Sequence, residues 1–280
     1  MSNHSTIKKP SFSLELVLDD FNKRVRVESF RGNVMDLVMY LHETVSASMY
    51  EKVIVQARSS QWEELMKQGF ELEGHLRGFF NGSDGFVMSY YYNDERRTSS
   101  HWSVEQEILQ NVQRKHIKPI KRDLPLQYQM RKATVDDAEA LAHLYKAVFP
   151  VYPTPMNEVK YIRKIIESGN VFCVTEYEGE VVSSASADLN KLLHHAELTD
   201  CATLPEHRSH GLMKHLLIKL EEELLSMGFY CAFSLARARS FGMNDAFYQL
   251  GYSYGGRLTN NCYIFEDLED MNVWVKDLSK

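Results

Sequence analysis

One stretch limits what this chain can fold into more than any other: Leu198-Thr-Asp-Cys-Ala-Thr-Leu-Pro-Glu-His-Arg-Ser-His-Gly-Leu-Met213. An alternating strand runs into Pro205, and Arg208-x-x-Gly211 then opens a helix. The helix carries its apolar stripe on Leu212, Leu216, Leu217, Leu220 and Leu224 and stops at Gly228. A strand feeding directly into an amphipathic helix makes the fold α/β (α+β). Gly211 allows close backbone approach. The first turn of a helix leaves N–H groups unpaired, and its dipole favours an anion there. Thr203, Arg208, Ser209, His210, Gly211, Leu212 and Met213 are therefore the candidate residues for a main-chain pyrophosphate site.

The 280 residues are comfortable for two domains, and a hydrophobic content of 44% supports a core in each. A net charge of −6 argues against a broad nucleic-acid footprint. No run of eighteen apolar residues suggests a membrane span, and residues 1–10 lack the apolar segment of a signal peptide. Cys173, Cys201, Cys231 and Cys262 lie far apart with no CxxC pair, which reads as free, reduced thiols and a cytoplasmic protein. His207 and His210 flank the loop without a third ligand at metal spacing, so no metal is expected. His194-His195 reads as turn or surface.

Along the chain, residues 11–30 pattern as a hairpin whose second arm, Arg24-Val-Arg-Val-Glu, alternates cleanly. Asn33 caps a helix with Val34, Leu37, Val38, Leu41 and Val45 on one face. A strand over Val53–Ala57, a helix from Trp62 to Gln68 and a second hairpin through Asn81–Gly85 follow. Residues 1–92 form a first domain. Residues 93–125 form a connector with one mostly polar helix, Val104 to His116, and the basic, proline-broken run Lys118–Pro125. Residues 126–280 form the second domain: strand, two helices, antiparallel strands, the motif strand and helix, strand, helix and a closing hairpin, with Asn260 and Asn261 read as a turn.

The two domains echo one another. Val53-Ile-Val-Gln-Ala-Arg58 parallels Phe233-Ser-Leu-Ala-Arg237, and a helix ending in Gly69-Phe70 or Gly251-Tyr252 follows each. A further glycine, Gly74 or Gly256, comes five residues on.

Strand, Arg-x-x-Gly loop, helix and element order together resemble the GCN5-related N-acetyltransferases (GNAT), with Met213 standing where that family usually has Gly or Ala. The resemblance implies a GNAT fold in the C-terminal domain and acetyl-CoA as cosubstrate. The N-terminal domain, lacking the loop, becomes a degenerate acetyltransferase-like domain that packs on the active one. Acetyl transfer to an ammonium of pKa ~10.4 requires removing a proton, which costs about 4–5 kcal/mol at pH 7. Glu197 and Asp200 are the candidate bases or ammonium anchors. Three positions apart, they face opposite sides of a strand unless a bulge intervenes, as it commonly does in this family. The family often has a Tyr donor four residues before the glycine that ends the last helix. Phe247 stands there, so Tyr248 beside it is the candidate donor to the leaving thiolate. Ser240 takes the position of a family Asn and is a candidate helix cap or pantetheine contact.

Val148-Phe-Pro-Val-Tyr-Pro-Thr-Pro155, Ala196–Arg208, Leu235–Asn244, Tyr254–Asn261 and Gly78–Asp84 are similar to the β-lysine N-acetyltransferases, over nearly the whole chain. The implied product is Nε-acetyl-β-lysine, a compatible solute, with a lysine 2,3-aminomutase as pathway partner. Tyr152 would then wall the substrate pocket, and Arg237 or Arg239 would hold the substrate carboxylate. Another small amine such as lysine or a polyamine, or a non-catalytic acyl-CoA-binding module, are the alternatives. Oligomeric state is left open, a homodimer included.

Overall fold

In the computed structural model, which describes residues 3–117, 124–264 and 267–280, thirteen strands form one continuous sheet. The N-terminal half runs β1 (Asn3–Lys8), β2 (Phe12–Asp19), β3 (Arg24–Gly32), α1 (Val34–Ser46), β4 (Lys52–Arg58), α2 (Trp62–Lys67), β5 (Glu71–Phe80) and β6 (Ser83–Tyr91). The crossing segment holds α3 (Asp94–Arg97) and α4 (Trp102–Gln113). The C-terminal half begins with β7 (Tyr128–Lys132), α5 (Ala138–Val148), α6 (Val159–Glu167), β8 (Val171–Tyr177), β9 (Glu180–Asn190) and β10 (His195–Thr203). It ends with α7 (Leu212–Ser226), β11 (Cys231–Arg237), α8 (Phe241–Gln249), β12 (Ser253–Ile264) and β13 (Asp267–Asp277).

Local chemistry sets these elements. Asn33 accepts a hydrogen bond from the Asp36 amide at 3.1 Å, and the stripe Val34, Leu37, Val38, Leu41 and Val45 is the buried face of α1. Thr134 and Asp137 close a capping box ahead of α5. β1 escapes a pattern search because Asn-His-Ser-Thr-Ile-Lys is polar and owes its conformation to pairing with β2. The connector helix is less polar in function than its composition suggests, since Leu109 and Val112 enter the core beneath α7 and α8. Of the basic run Lys118–Pro125, residues 118–123 lie outside the described residues. No helix among the described residues is long and apolar enough to cross a membrane.

The sheet order is β1-β2-β3-β4-β6-β5-β12-β13-β11-β10-β9-β8-β7. Each half contains one parallel pair, β3 with β4 and β10 with β11, followed outward and inward by antiparallel strands. The halves meet where Gly74 of β5 pairs with Gly256 of β12. Register breaks recur at matching places: Leu72/Gly74 and Leu76/Phe80 in β5, Tyr254/Gly256 and Leu258/Cys262 in β12. A core of Ile54, Leu76, Phe79 and Val87 from one half with Phe233, Leu258, Val273 and Val275 from the other packs the two sheet faces together.

The register breaks are what clasp the halves. Arg24 Nη1 donates to the Asn261 carbonyl at 3.0 Å and to its Oδ1 at 2.9 Å. Asn260, at φ 45°, sends its amide group to the carbonyls of Glu95, Arg96 and Thr98. Asn260 and Asn261 are therefore not a hairpin turn; they lie within β12, in a bulge whose side chains reach the other half. On the pseudo-symmetric side, His195 Nδ1 donates to the Phe79 carbonyl at 2.8 Å, and its ring stacks on Phe79 with centroids 3.8 Å apart. That corrects the reading of His195 as turn or surface: it is buried, and burial pushes its pKa down to about 4, so it is neutral at pH 7. His194, at φ 53°, is the turn residue.

Gly256 has a φ of 143°, and a Cβ there would run into the Glu73 carbonyl oxygen. Gly256→Ala should lower unfolding free energy by about 2–4 kcal/mol, through strain and overpacking. Urea titration of the full chain measures this, with Gly242→Ala, where nothing lies within 4 Å of an added Cβ, as the mild control.

Candidate active site

β10 and β11 pair for only three residues, His195 with Cys231 through Glu197 with Phe233, and then part. β10 continues to Thr203 and β11 to Arg237, so the sheet opens into a wedge beside α7. On the β9 side, β10 carries a bulge: Thr199 pairs with Ser186 and Ala202 with Ser184, leaving Asp200 and Cys201 opposite one residue. Asp200 takes φ 49° to make it.

The bulge shifts the alternation. Ala196 and Leu198 point into the core under α7, whereas Ala202, which strict alternation would send the same way, joins the opposite core under α5 and α6. Asp200 turns to that opposite side too, where Tyr152 Oη donates to its Oδ1 at 3.1 Å and Ser186 Oγ to its Oδ2 at 2.7 Å. Tyr145 Oη donates to the Asp200 carbonyl at 2.7 Å. Glu197, out of phase with Ala196 and Leu198, lies on the same side. The two carboxyls that an unbroken strand would separate are thus brought together.

A third acid, Asp188, is the direct cross-strand partner of Glu197. Sequence spacing gave no sign of it, because register between β9 and β10 is a tertiary fact. Burial, aided by Asp188, pushes the Glu197 carboxyl up to about 8, with Arg26 opposing. Burial also raises Asp200 to about 6, against the hydrogen bonds from Ser186 and Tyr152. At pH 7 Asp200 is mostly ionised and Glu197 mostly protonated.

At the mouth of the wedge, Pro205–His207 form a 3-10 turn, Ser209 has φ 67° and Gly211 has φ 76°. Leu212 is buried and Met213 packs on the α7 core, so their side chains anchor the helix start. The amides from Ser209 to Met213 make no hydrogen bond to a described residue. Nothing lies within 4 Å of a Cβ placed on Gly211. Open space over a row of unpaired N–H groups at a fifteen-residue helix is what a diphosphate requires. Arg208 folds back, its Nε donating to the Thr203 carbonyl at 3.2 Å, which shapes the loop. Thr203 Oγ1 and Ser183 Oγ share a hydrogen bond of 2.7 Å.

A cleft of about 550 Å³ opens at the end of β11, lined by Pro150, Val151, Arg237, Arg239, Ile264, Asp267 and Glu269. Arg237 Nη2 and Arg239 Nη2 both donate to Glu269 Oε1, at 2.6 and 2.8 Å. Burial would raise Glu269, but the two arginines outweigh it and hold the carboxyl below its usual range. Two cations, Arg237 and Arg239, and two anions, Glu269 and Asp267, thus line the cleft.

Two candidates are placed differently. Tyr248 Oη donates to the Gln113 carbonyl at 2.9 Å and so caps the end of α4, while Phe247 is fully buried. Its hydroxyl is thus directed at a helix end. Ser240 stands at the N-cap of α8 but makes no side-chain cap bond. The residue that organises this corner is Asn244, which sequence reading passed over. Its Nδ2 donates to the carbonyls of Arg237 and Ser240 at 2.9 and 2.8 Å, and its Oδ1 accepts from Asn272 and Trp274. Among the described residues no group of three His, Cys, Asp or Glu could hold a metal ion.

A family model described as "Acetyltransferase (GNAT) family" matches residues 138–252. The N-acetyltransferase YodP of Bacillus subtilis is 40% identical over 98% of this chain and 99% of its own. The β-lysine N(6)-acetyltransferase of Methanosarcina mazei is 34% identical over 89% of this chain and 99% of its own. The chain belongs to the GNAT acetyltransferase family. It is an acetyl-CoA-dependent N-acetyltransferase. A second β-lysine N(6)-acetyltransferase, from Methanococcus maripaludis, is 28% identical over 92% of this chain and 94% of its own.

Replacing Gly211 by Ala imposes a left-handed conformation costing about 1–2 kcal/mol. A loop that relaxes to escape this strain must recover the left-handed turn on binding, so calorimetry should show coenzyme A binding weakened roughly 5–30-fold by Gly211→Ala with the thermal midpoint unchanged. A second test concerns Glu197. A carboxyl whose folded pKa is raised contributes its full stability below its ordinary value of 4.5 and loses it as pH rises through about 8. Glu197→Gln should therefore raise the melting midpoint at pH 9 and leave it near wild type at pH 5.

Proposed function

We propose that the protein moves the acetyl group of acetyl-CoA to the ε-amine of β-lysine (3,6-diaminohexanoate), giving Nε-acetyl-β-lysine, a compatible solute. Glu197 takes the proton of the ε-ammonium, and the neutral amine attacks the thioester carbon. Asp200 and Asp188 hold the second ammonium, with Tyr152 fixing Asp200. Arg237 and Arg239 meet the carboxylate. The thiolate leaves and takes a proton from solvent, since Tyr248 is engaged elsewhere. The overall change is thioester plus ammonium giving amide, thiol and one proton.

The observation that carries the proposal is the gathering of three acids, Asp188, Glu197 and Asp200, on one side of β10. A diamine with one carboxylate presents the complementary charges. The two relatives named for β-lysine support it, because their similarity spans both halves of the chain. We infer also that residues 1–92 are a degenerate acetyltransferase-like domain, 93–125 a connector and 126–280 the catalytic domain. The shared strand order and matched register breaks support that division. We infer further a cytoplasmic location, with which four free cysteines accord, and a lysine 2,3-aminomutase as the source of the acceptor.

A thiol-release assay with β-lysine, α-lysine and spermidine side by side tests the acceptor. Turnover on β-lysine should exceed that on α-lysine by at least tenfold in kcat/KM, about 1.4 kcal/mol of discrimination. Equal or better use of α-lysine or spermidine would move the assignment to that amine.

A further inference from the structure

The N-terminal half has no anion loop, yet its inner sheet face is not inert. In β3, Val25 and Val27 point into the core under α1, so Arg24, Arg26 and Glu28 point the other way. Arg24 reaches the C-terminal half at Asn261. In β10, Ala196 and Leu198 point under α7, so His195 and Glu197 face the N-terminal half, and His195 reaches it at Phe79. Arg26 follows Arg24 by one repeat of its strand, and Glu197 follows His195 by one repeat of its own. The parallel pairs β3–β4 and β10–β11 begin at Arg24 and His195 respectively. Arg26 and Glu197 are thus pseudo-symmetric counterparts, brought opposite one another by two faces already locked in contact.

We propose that Arg26 acts across this interface as a positioning residue for Glu197, so that the acceptor site is built from both halves of the chain. The chemistry of Arg26 agrees. Its Nε is buried without a hydrogen-bond partner, and its ion pair, with Glu28 of its own strand, is loose at 3.4 Å. An arginine so placed has donors to spare for a carboxylate beyond Glu28. Arg26 and Glu197 act on each other's protonation: each favours the charged form of the other.

The groups facing Glu197 are few. From β9 comes Asp188, from β10 itself Asp200, and from β3 Arg26 and Glu28. Its β11 partner is the apolar Phe233, and His195 beside it is neutral. Within this set the acids disfavour ionisation of Glu197, and Arg26 is the group that favours it. The N-terminal half would thereby set the pH at which the C-terminal half's base works, which explains why an acetyltransferase would keep a partner domain with no cofactor loop.

This inference rests on Glu197 being the base, and the test separates the two. In the full-length enzyme, kcat/KM for the acceptor should rise with pH through a limb near 8. Arg26→Gln should move that limb up by about half to one pH unit and lower kcat/KM for the acceptor at pH 7 roughly 3–10-fold, with KM for acetyl-CoA unchanged. Arg26→Lys should restore most of the position. Glu28→Gln, which removes a facing acid, should move the limb down. A limb unmoved in both Arg26→Gln and Glu28→Gln overturns the inference. If Arg26→Gln does not fold, the opposite shift in Glu28→Gln decides alone. Glu197→Gln should abolish the limb; its survival there would sink the base assignment instead.

Discussion

The arrangement depends on one irregularity, the extra residue at Asp200–Cys201 in β10. A strand alternates sides, and residues three apart oppose one another. By inserting a residue, the bulge resets the alternation so that Glu197, Asp200 and Ala202 serve one side while Ala196 and Leu198 seal the other. The same disturbance accompanies the parting of β10 from β11, which opens the wedge at the amide row of α7. Chemistry and cofactor space thus come from a single backbone event, stabilised by Tyr145 holding the Asp200 carbonyl.

The second organising fact is the reciprocal clasp between halves. A side chain at the start of each parallel pair reaches a carbonyl in the other half's bulged hairpin: Arg24 to Asn261, His195 to Phe79. These contacts are buried, so losing either partner would leave an unsatisfied group. Two sheets that only abutted at Gly74 and Gly256 could hinge; two sheets pinned on both sides of that joint cannot easily do so. A rigid joint is what allows a charge on β3 to have a fixed relation to a carboxyl on β10.

Much of this was legible in the sequence because it is local. The turn that opens α7 is written in Pro205, Arg208 and Gly211, and the helix faces follow from 3.6-residue spacing. Glu197 and Asp200 could be named from the motif strand; strand geometry set them on opposite sides, and the family resemblance supplied the expectation of a bulge between them. What could not be read was anything set by register or by a distant partner. Asp188 matters because it lies across from Glu197. His195 looked like a surface residue because Phe79 is far away in sequence. Asn260 and Asn261 have turn chemistry, and Asn260 does adopt a left-handed backbone, but within a strand. Tyr248 sits beside the expected position, and the 100° between neighbours on a helix was enough to hand its hydroxyl to α4.

The unequal pKa values of the two acids bear on how the proposed reaction would be gated. Asp200, near 6, is charged when the acceptor arrives and can attract an ammonium; Glu197, near 8, is mostly neutral and cannot yet act as base. An ammonium entering the site brings a positive charge against Glu197, and an opposite charge within a few ångströms favours the ionised carboxyl. The substrate cation would therefore displace the proton from Glu197 and create the base it needs. An empty site would hold Glu197 protonated and leave the thioester unchallenged by a base at neutral pH. The same acids that make the site costly to fold at high pH would in this way favour cationic acceptors in the proposed reaction.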